Sequence, residues 1–286
     1  MGRFWSLLFL LVPVLGVLTF VCAMGNFWPL NGGAFAFPSN HWLPENINDH
    51  GMVIDRLFLF ILALTGVIFV GTSLALFWFM WKYDAEKTKA PVVFSHGSHT
   101  LEIVWSILPA VTLLFIAIYQ MNAWAEAKMF RPMLPGPDGL SDTADDLPKP
   151  PLLRVTGRQF EWRLRYAGQD GALDTTDDIL LVNDMHIPVD EETVVEIETQ
   201  DVLHSFFLPN MRVKQDMVPG MRQFTWFRAN KSGVYDIVCA ELCGWGHYKM
   251  RGRLTVEPRE KFNQWLAGRL ASQETSQFVP KVGEEE

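Results

Sequence analysis

The chain begins with long apolar runs and continues with short segments in which apolar and polar residues alternate. Residues 57–81 contain no charged residue, and roughly 20 apolar residues are enough for a helix to cross the hydrocarbon core of a bilayer. Residues 103–124 form a second such run, with Pro109 inside it, which membrane helices tolerate. The pattern therefore predicts a transmembrane helical hairpin over residues 55–124.

A third apolar run covers residues 4–24. Such a run is typical either of a cleaved signal peptide or of a retained membrane helix. Cys22-Ala23-Met24-Gly25 offers a cleavage site, whereas the run is longer than the usual apolar core of a signal peptide. We assign residues 1–24 to a signal peptide or an additional transmembrane helix, with retention favoured, and residues 25–54 to a linker on the outer side.

The loop between the two hairpin helices carries Lys82, Lys87 and Lys89. Short positively charged loops stay on the cytoplasmic side of a membrane. Everything after the second helix then lies outside. The sequence therefore predicts a multi-pass protein of a bacterial inner membrane with its C-terminal domain in the periplasm.

The outer region has the pattern of β structure. In residues 159–166 the side chains alternate, with Phe160, Trp162, Leu164 and Tyr166 on one face and polar residues on the other. Similar short runs, separated by turn residues, lie at residues 193–199, 223–227, 234–238 and 252–256. This spacing predicts a small antiparallel β-sandwich or barrel.

The sandwich is assigned to residues 125–270 and a tail to residues 271–286. After Pro258 the sequence through Leu270 predicts a terminal helix. The tail ends in three glutamates and is expected to be disordered.

Charge is concentrated after the membrane segments. From Glu126 onward the chain has 26 acidic and 19 basic residues. An acidic surface argues against nucleic acid and favours a basic protein partner, which complementary fields steer toward it. The three cysteines, Cys22, Cys239 and Cys243, are too few for a disulfide framework.

Residues 239–250 combine several metal-ligating side chains in one short segment. The potential donors are Cys239, Glu241, Cys243, His247 and Met250. Two thiolates, an imidazole and a thioether together suit copper, since soft sulfur and nitrogen donors select it over hard cations. A Cys-x3-Cys pair alone, by contrast, is also typical of zinc sites or of buried thiols.

A further histidine, His204, lies upstream at the end of a candidate strand. The 35 residues between His204 and Cys239 are enough for a hairpin that returns beside it. A lone histidine is more often structural, and two cysteines with two histidines would also complete a tetrahedral zinc site. Met250 favours copper, because a weak axial thioether is a familiar copper ligand.

The pattern Cys-x-Glu-x-Cys-Gly-x-x-His-x-x-Met at residues 239–250, preceded by Asp-Val-Leu-His-Ser at 201–205, resembles the binuclear CuA motif of the cytochrome c oxidase subunit II family. The resemblance covers about residues 50 to 265. It continues through residues 101–105, 108–110, 157–162 and 218–220. It implies a helical hairpin followed by a cupredoxin-like Greek-key β-sandwich.

The resemblance also implies a ligand set and a role. Cys239 and Cys243 would bridge two copper ions, each ion terminated by a histidine. The remaining implied ligands are His204, His247, Met250 and the backbone carbonyl of Glu241, whose carboxylate would face a Mg or Mn ion shared with subunit I. Electrons from cytochrome c, or a similar small basic donor, would pass through this centre to the haem of subunit I. There oxygen is reduced to water, coupled to proton translocation.

The chain departs from the family pattern where electrons enter. The family has tryptophan at the position of Phe160 and histidine at the position of Arg158. We assign the electron-accepting region to Phe160 and Trp162, with Trp245 or Tyr248 as alternatives. The other interpretation is that Phe160 is simply a core residue or that the donor approaches differently.

Glu102 lies at the cytoplasmic start of the second hairpin helix. Ionisable groups in membrane segments are functional candidates, although a residue at a helix end can also be solvated without a function. Its spacing to Trp105 and Pro109 resembles that of the family glutamate at the mouth of the K-channel, which implies a role in proton uptake. His96 and His99 are interpreted as loop histidines that could assist it.

An internal repeat adds a second candidate metal site. The segment from Asp138 to Asp146 recurs in register as the segment from Asp170 to Asp178. Closely spaced carboxylates around a glycine turn suit calcium. Acidic loops are, however, more often only solvated.

Two other classes share parts of these features. A nitric oxide or nitrous oxide reductase component can carry the same copper loop, but the helical hairpin and Glu102 favour an oxidase. A membrane-tethered copper carrier would bind one ion at an open site. A quinol oxidase subunit lacks the copper ligands, and the absence of Cys-x-x-Cys-His argues against attached haem c.

Overall fold

The computed structural model describes residues 2–25, 43–84, 91, 94, 96–141 and 143–275. The predicted apolar runs form helices that are long and apolar enough to cross a membrane. These helices are α1 (Gly2–Gly25), α2 (Gly51–Lys82) and α3 (His99–Lys128). Retention of residues 1–24, rather than cleavage, stays a prediction. Two of the orienting lysines, Lys87 and Lys89, lie outside the described residues.

The chain divides into two compact units. One comprises residues 1–44 and 55–119, and the other residues 45–54 and 120–286. Ten residues of the predicted linker therefore belong to the outer unit. Ile47 is fully buried in the core of that unit, and Asn48 pairs with Ala229 through a β-bridge.

The outer unit is a sandwich of two five-stranded sheets with a separate two-stranded ribbon. Its strands are β1 (Met133–Leu134), β2 (Leu147–Pro148), β3 (Leu153–Arg158), β4 (Glu161–Tyr166), β5 (Ile179–Val182), β6 (Asp184–Pro188), β7 (Glu192–Thr199), β8 (His204–Leu208), β9 (Val213–Met217), β10 (Gln223–Arg228), β11 (Gly233–Cys239) and β12 (Arg251–Glu257). The sheet orders are β10-β7-β3-β4-β5 and β6-β12-β11-β8-β9.

Most neighbouring strands are antiparallel, as the alternation predicts. Two pairs are parallel, β3 with β7 and β6 with β12, which the alternation alone does not predict. The cause is the non-sequential strand order, in which strands that are distant along the chain lie side by side.

The alternating segment forms β4 and supplies the centre of the core. Trp162, Leu164 and Tyr166 are each at most 1% exposed, and full burial of one large apolar side chain contributes roughly 1.5–3 kcal/mol. The terminal helix is α4 (Arg259–Thr275), longer than predicted. Its Phe262 is buried against the same core. The part of the predicted tail at residues 276–286 lies outside the described residues.

Candidate metal centre

Two neighbouring strands position the first pair of sulfur and nitrogen donors. β8 begins at His204 and β11 ends at Cys239, and the strands pair through Phe206 opposite Cys239. The Nδ1 atom of His204 lies 3.8 Å from the Sγ atom of Cys239. The expectation that His204 ends a strand is wrong, because the strand starts there and runs away from the donors.

The loop between β11 and β12 brings the remaining donors to the same point. The Sγ atom of Cys243 lies 3.9 Å from that of Cys239, 3.6 Å from Nδ1 of His247 and 3.8 Å from Sδ of Met250. The backbone carbonyl of Glu241 lies 3.3 Å from the Cys239 sulfur. The structure therefore assembles all six predicted ligand residues around two adjacent sulfur atoms.

Glycine at two positions allows the loop to lie close to the segment before β4. A Cβ atom on Gly246 would come within 2.5 Å of the Phe160 ring. Gly244 has a φ of +137°, which L side chains rarely adopt. The Gln159 side chain also donates a hydrogen bond to the Cys243 carbonyl at 2.5 Å. Larger residues at either glycine would push the ligand loop outward.

The donor set fits copper. His204, Cys243 and Met250 are at most 4% exposed, and Cys239 and His247 are half-buried. Two thiols, two imidazoles and a thioether form a soft donor set of the kind that copper sites use. A closed zinc site is complete with four ligands, so the thioether beside Cys243 favours copper over zinc.

A carboxylate outside the donor set orients His204. The Nε2 atom of His204 donates a hydrogen bond to Asp201 at 2.8 Å, which orients Nδ1 toward the Cys239 sulfur. Asp201 also accepts a hydrogen bond from the backbone of Gln159 at 2.8 Å. On the other side, a Cβ on Gly157 would lie 3.0 Å from the His204 ring. The sequence signal for this role is the spacing of three residues between Asp201 and His204.

The pKa values of the site are shifted by burial and by these contacts. Burial raises the pKa of Asp201, but hydrogen bonds from Gln159 and His204 outweigh it and leave the pKa below its ordinary value. Burial also raises the pKa of both thiols. For Cys239 this is reversed, chiefly by His204, and the pKa falls to about 6. For Cys243, burial and the neighbouring Cys239 thiolate raise the pKa to about 12, so a bound cation would favour ionisation of both thiols.

The residues weighed for electron acceptance lie at different depths. Trp162 is fully buried, with its ring 6.2 Å from that of His204. Phe160 is half-buried, and its ring meets that of Trp245 edge-on at 5.3 Å. Trp245 and Tyr248 are 78% and 71% exposed. The assignment of electron acceptance to Phe160 and Trp162 stays a prediction, but neither ring forms the outermost aromatic surface.

Glu102 lies in the first turn of α3, where a negative charge complements the helix dipole. Its carboxylate lies 3.9 Å from Nδ1 of His99. The metal ligands belong to the other compact unit. A role for Glu102 in proton uptake stays a prediction.

The acidic repeats form two loops of equivalent turn geometry, with φ of +69° at Gly139 and +70° at Gly171. In the second loop, Asp174 accepts two hydrogen bonds from Arg154, at 2.7 and 2.8 Å. Asp178 accepts one from Arg165 at 3.0 Å. In the first loop Asp142 lies outside the described residues. Calcium binding at these loops stays a prediction. The carboxylates of Asp174 and Asp178 already have arginine partners within the protein, which does not favour it.

The fold and the site define a class: a membrane-anchored β-sandwich protein with a cysteine, histidine and methionine metal loop. The family described as "Cytochrome C oxidase subunit II, transmembrane domain" matches residues 48–123. The family described as "Cytochrome C oxidase subunit II, periplasmic domain" matches residues 165–256. The chain belongs to the cytochrome c oxidase subunit II family, which confirms the predicted resemblance.

Individual relatives agree with the family match. The chain is 35% identical over 136 residues to "Alternative cytochrome c oxidase subunit 2" of Bradyrhizobium diazoefficiens, covering 40% of this chain and 49% of that protein. It is 26% identical over 288 residues to "Cytochrome c oxidase subunit 2" of Thermostichus vulcanus, covering 84% of each. The match to the protein of Alkalihalophilus pseudofirmus is 32% identical and covers 63% of this chain and 47% of that one. The chain thus spans about half the length of two of these relatives.

Among solved structures, the periplasmic domain of subunit II of cytochrome oxidase from Bradyrhizobium japonicum is similar, with 28% identity and a TM-score of 0.39. The match covers 45% of this chain and 99% of that one. The family, the apolar helices and the two-sheet sandwich together confirm the predicted fold class, transmembrane helices followed by a cupredoxin-like sandwich. The protein is membrane-anchored, and its C-terminal domain is periplasmic.

Proposed function

We propose that this chain is the copper-bearing subunit of a haem–copper cytochrome c oxidase. It accepts single electrons from cytochrome c, or a similar small basic donor, and passes them to the haem of subunit I. Oxygen is reduced there to water, and protons are translocated across the membrane. The observation that carries the proposal is the pair of cysteine sulfurs 3.9 Å apart, each with its own histidine beside it.

Different side chains would supply different ligands to the two metal ions. A copper pair bound here would supply a one-electron relay. Cys239 and Cys243 would hold it through their thiolates, together with His204 beside the first sulfur and His247 beside the second. The family resemblance adds Met250 and the Glu241 carbonyl as weaker ligands, and both lie within 3.8 Å of a cysteine sulfur.

A relay works best when its ligands move little between oxidation states, and the backbone around the loop favours this. The amide of Cys239 donates to the carbonyl of Met250 at 3.2 Å, which closes the two ends of the loop onto each other. The amide of Ala240 donates to the carbonyl of Ser205 at 3.1 Å. The loop is therefore fixed to both strands that supply ligands.

Two further assignments belong to this proposal. The Glu241 carboxylate would hold a Mg or Mn ion shared with subunit I, while its carbonyl remains at the Cys239 sulfur. Glu102 takes up protons at the cytoplasmic side of α3. The first is supported by the family resemblance of the ligand loop, and the second by the position of Glu102 in the first helical turn.

The decisive experiment measures copper in the purified full-length chain. We expect two copper ions per chain and the EPR spectrum of an electron shared between them. Cys239→Ser and Cys243→Ser should each abolish that spectrum. The matched control is Cys22→Ser, which removes the third cysteine from α1 and should leave the spectrum intact. One copper per chain, or a full spectrum in Cys243→Ser, would contradict the proposal and favour a carrier.

A further inference from the structure

Three of the metal ligands offer almost no surface to an electron donor, and Cys239 and His247 are half-buried. His204 is fully buried, and Cys243 and Met250 are 4% and 1% exposed. The same loop nevertheless presents three large side chains to solvent. These are Leu242, Trp245 and Tyr248, with exposures of 76%, 78% and 71%. Exposed apolar clusters of this kind are typical of interaction sites.

Trp245 connects this surface to the ligands. It lies two residues from Cys243 and two from His247, so its backbone is part of the segment that carries both. Its ring meets that of Phe160 at 5.3 Å with an interplanar angle of 68°. Phe160 in turn lies directly against Gly246, where even a Cβ would come within 2.5 Å of its ring. Packed aromatic rings therefore run from solvent to the backbone of the ligand loop.

The other aromatic candidates lack one part of this arrangement. Trp162 lies beside His204 but is fully buried. Phe160 is half-buried beneath the Trp245 ring. Tyr248 is exposed, and the Lys249 ammonium lies near both its ring and that of Trp245, at 5.4 and 5.9 Å from the ring centres, but only Trp245 has a described contact with a second aromatic ring. Trp245 combines an exposed conjugated ring with a packed aromatic contact toward the ligands.

We infer that Trp245 is the residue through which electrons pass from the docked donor to the copper ligands, and that it forms the centre of the docking surface. This rests on the proposed function. The donor is a basic one-electron redox protein of the c-type cytochrome class, since the outer region has 26 acidic against 19 basic residues. One electron leaves the reduced donor and one reduces the copper centre. No bond forms or breaks, and the indole is unchanged afterwards.

The test uses the full-length, copper-loaded chain in its membrane complex. Trp245→Leu keeps an apolar side chain but removes the conjugated ring. We expect a lower first-order rate of electron transfer at saturating donor. We also expect a fall in donor affinity on the order of tenfold or more, as for a tryptophan at the centre of an interface. The copper absorption and EPR spectra, and the rate of reduction by dithionite, should stay as in the wild type.

Tyr248→Leu is the matched comparison, because it removes a similarly exposed ring on the other side of His247. It should weaken donor binding while leaving the first-order rate at saturating donor unchanged. A readout that does not depend on turnover is oxidative footprinting, in which bound donor should protect Trp245 from modification.

Different outcomes would contradict the role of Trp245 and the proposed function. A wild-type first-order rate in Trp245→Leu would overturn the inference, as would equal losses of that rate in both variants or an unprotected indole in the donor complex. A wild-type chain that lacks the paired copper spectrum, or is not reduced by any c-type cytochrome, would instead overturn the proposed function.

Discussion

The ligand loop at residues 239–250 and the acidic loop at residues 170–178 both have metal-ligating residues at regular spacing, but they differ in what those residues contact. In the ligand loop the sulfur and nitrogen atoms of Cys239, Cys243 and His247 face one another. In the acidic loop, by contrast, Asp174 is bound by the Arg154 guanidinium. Donors that converge without a cation can hold a metal, whereas carboxylates paired with an arginine are already neutralised.

The comparison is sharpest at the carboxylates of each region. Asp201 beside the ligand loop holds His204 in place, so it serves the metal site without being a ligand. Arg154 beside the acidic loop is only 6% exposed in its side chain and pairs with both Asp174 and Glu196. Charge therefore organises a donor in one region and stabilises the sheet in the other.

The largest expected effect is a loss of folding stability when the ion pair beside the acidic loop is broken. Arg154→Met leaves the Glu196 carboxylate, 11% exposed, buried without its cation, and loss of one partner of a buried pair costs about 3–5 kcal/mol. Chemical unfolding of the full chain measures this loss. The control is Arg163→Met, whose pair with Glu161 is about one third exposed and contributes roughly 1 kcal/mol or less. Equal effects in the two variants would contradict a buried structural role for Arg154.

The second effect concerns Asp201. Asp201→Asn should weaken copper binding by roughly 10–100-fold, because loss of a carboxylate that orients a ligating histidine typically has that effect. Competition with a copper chelator measures the affinity. Asp216→Asn removes an equal charge from β9, where the carboxylate is half exposed, and should leave copper affinity unchanged. If both variants bind copper as the wild type does, Asp201 acts only as a surface charge.

A third expected effect is on how the free energy of unfolding depends on pH. The hydrogen bonds and charge of Arg154 lower the pKa of Asp174, so this pair adds stability above the ordinary carboxyl pKa. That stability is lost as pH falls through the lowered value, below about pH 4. The free energy of unfolding of Asp174→Asn should therefore depend less on pH in this range than that of the wild type. Parallel pH profiles would show that the pair contributes nothing.

The smallest effect is expected in the first acidic repeat. Asp145 is fully exposed, and its pKa is lowered mainly by a hydrogen bond from Thr143. Asp145→Asn should leave copper binding unchanged and lower the melting temperature only slightly. Thermal unfolding with and without calcium tests the site directly. A calcium-dependent rise in melting temperature that Asp145→Asn abolishes would break the comparison and establish a second metal site.

The sequence predicts elements whose own pattern carries the signal. The apolar runs give α2 and α3, and the alternation around Trp162 gives β4. It does not predict β6, because the alternation of Asp184 and His186 with the buried Met185 and Ile187 is too short to indicate a strand on its own. That strand forms because it pairs in parallel with β12, far along the chain.

The same distinction applies to the site. The ligands of residues 239–250 are predictable because they share one loop, and their spacing alone suggests a common point. The contacts of Gln159 with Asp201 and of Phe160 with Trp245 are not predictable from the sequence, because each joins residues about 40 or more positions apart. Only the pairing of distant strands brings such residues together.

The burial of Ile47 has a consequence for how the protein is made. This residue precedes α2 in the chain, yet it completes a core whose other members begin at Leu153. Its neighbour Asn48 donates to the Met211 carbonyl at 2.8 Å. During synthesis, residues 45–54 therefore cross the membrane first, and they complete their contacts only after the strands that follow the hairpin have been made. A fragment that starts after α3 would fold with a gap at this position, and supplying residues 45–54 as a separate peptide should close it.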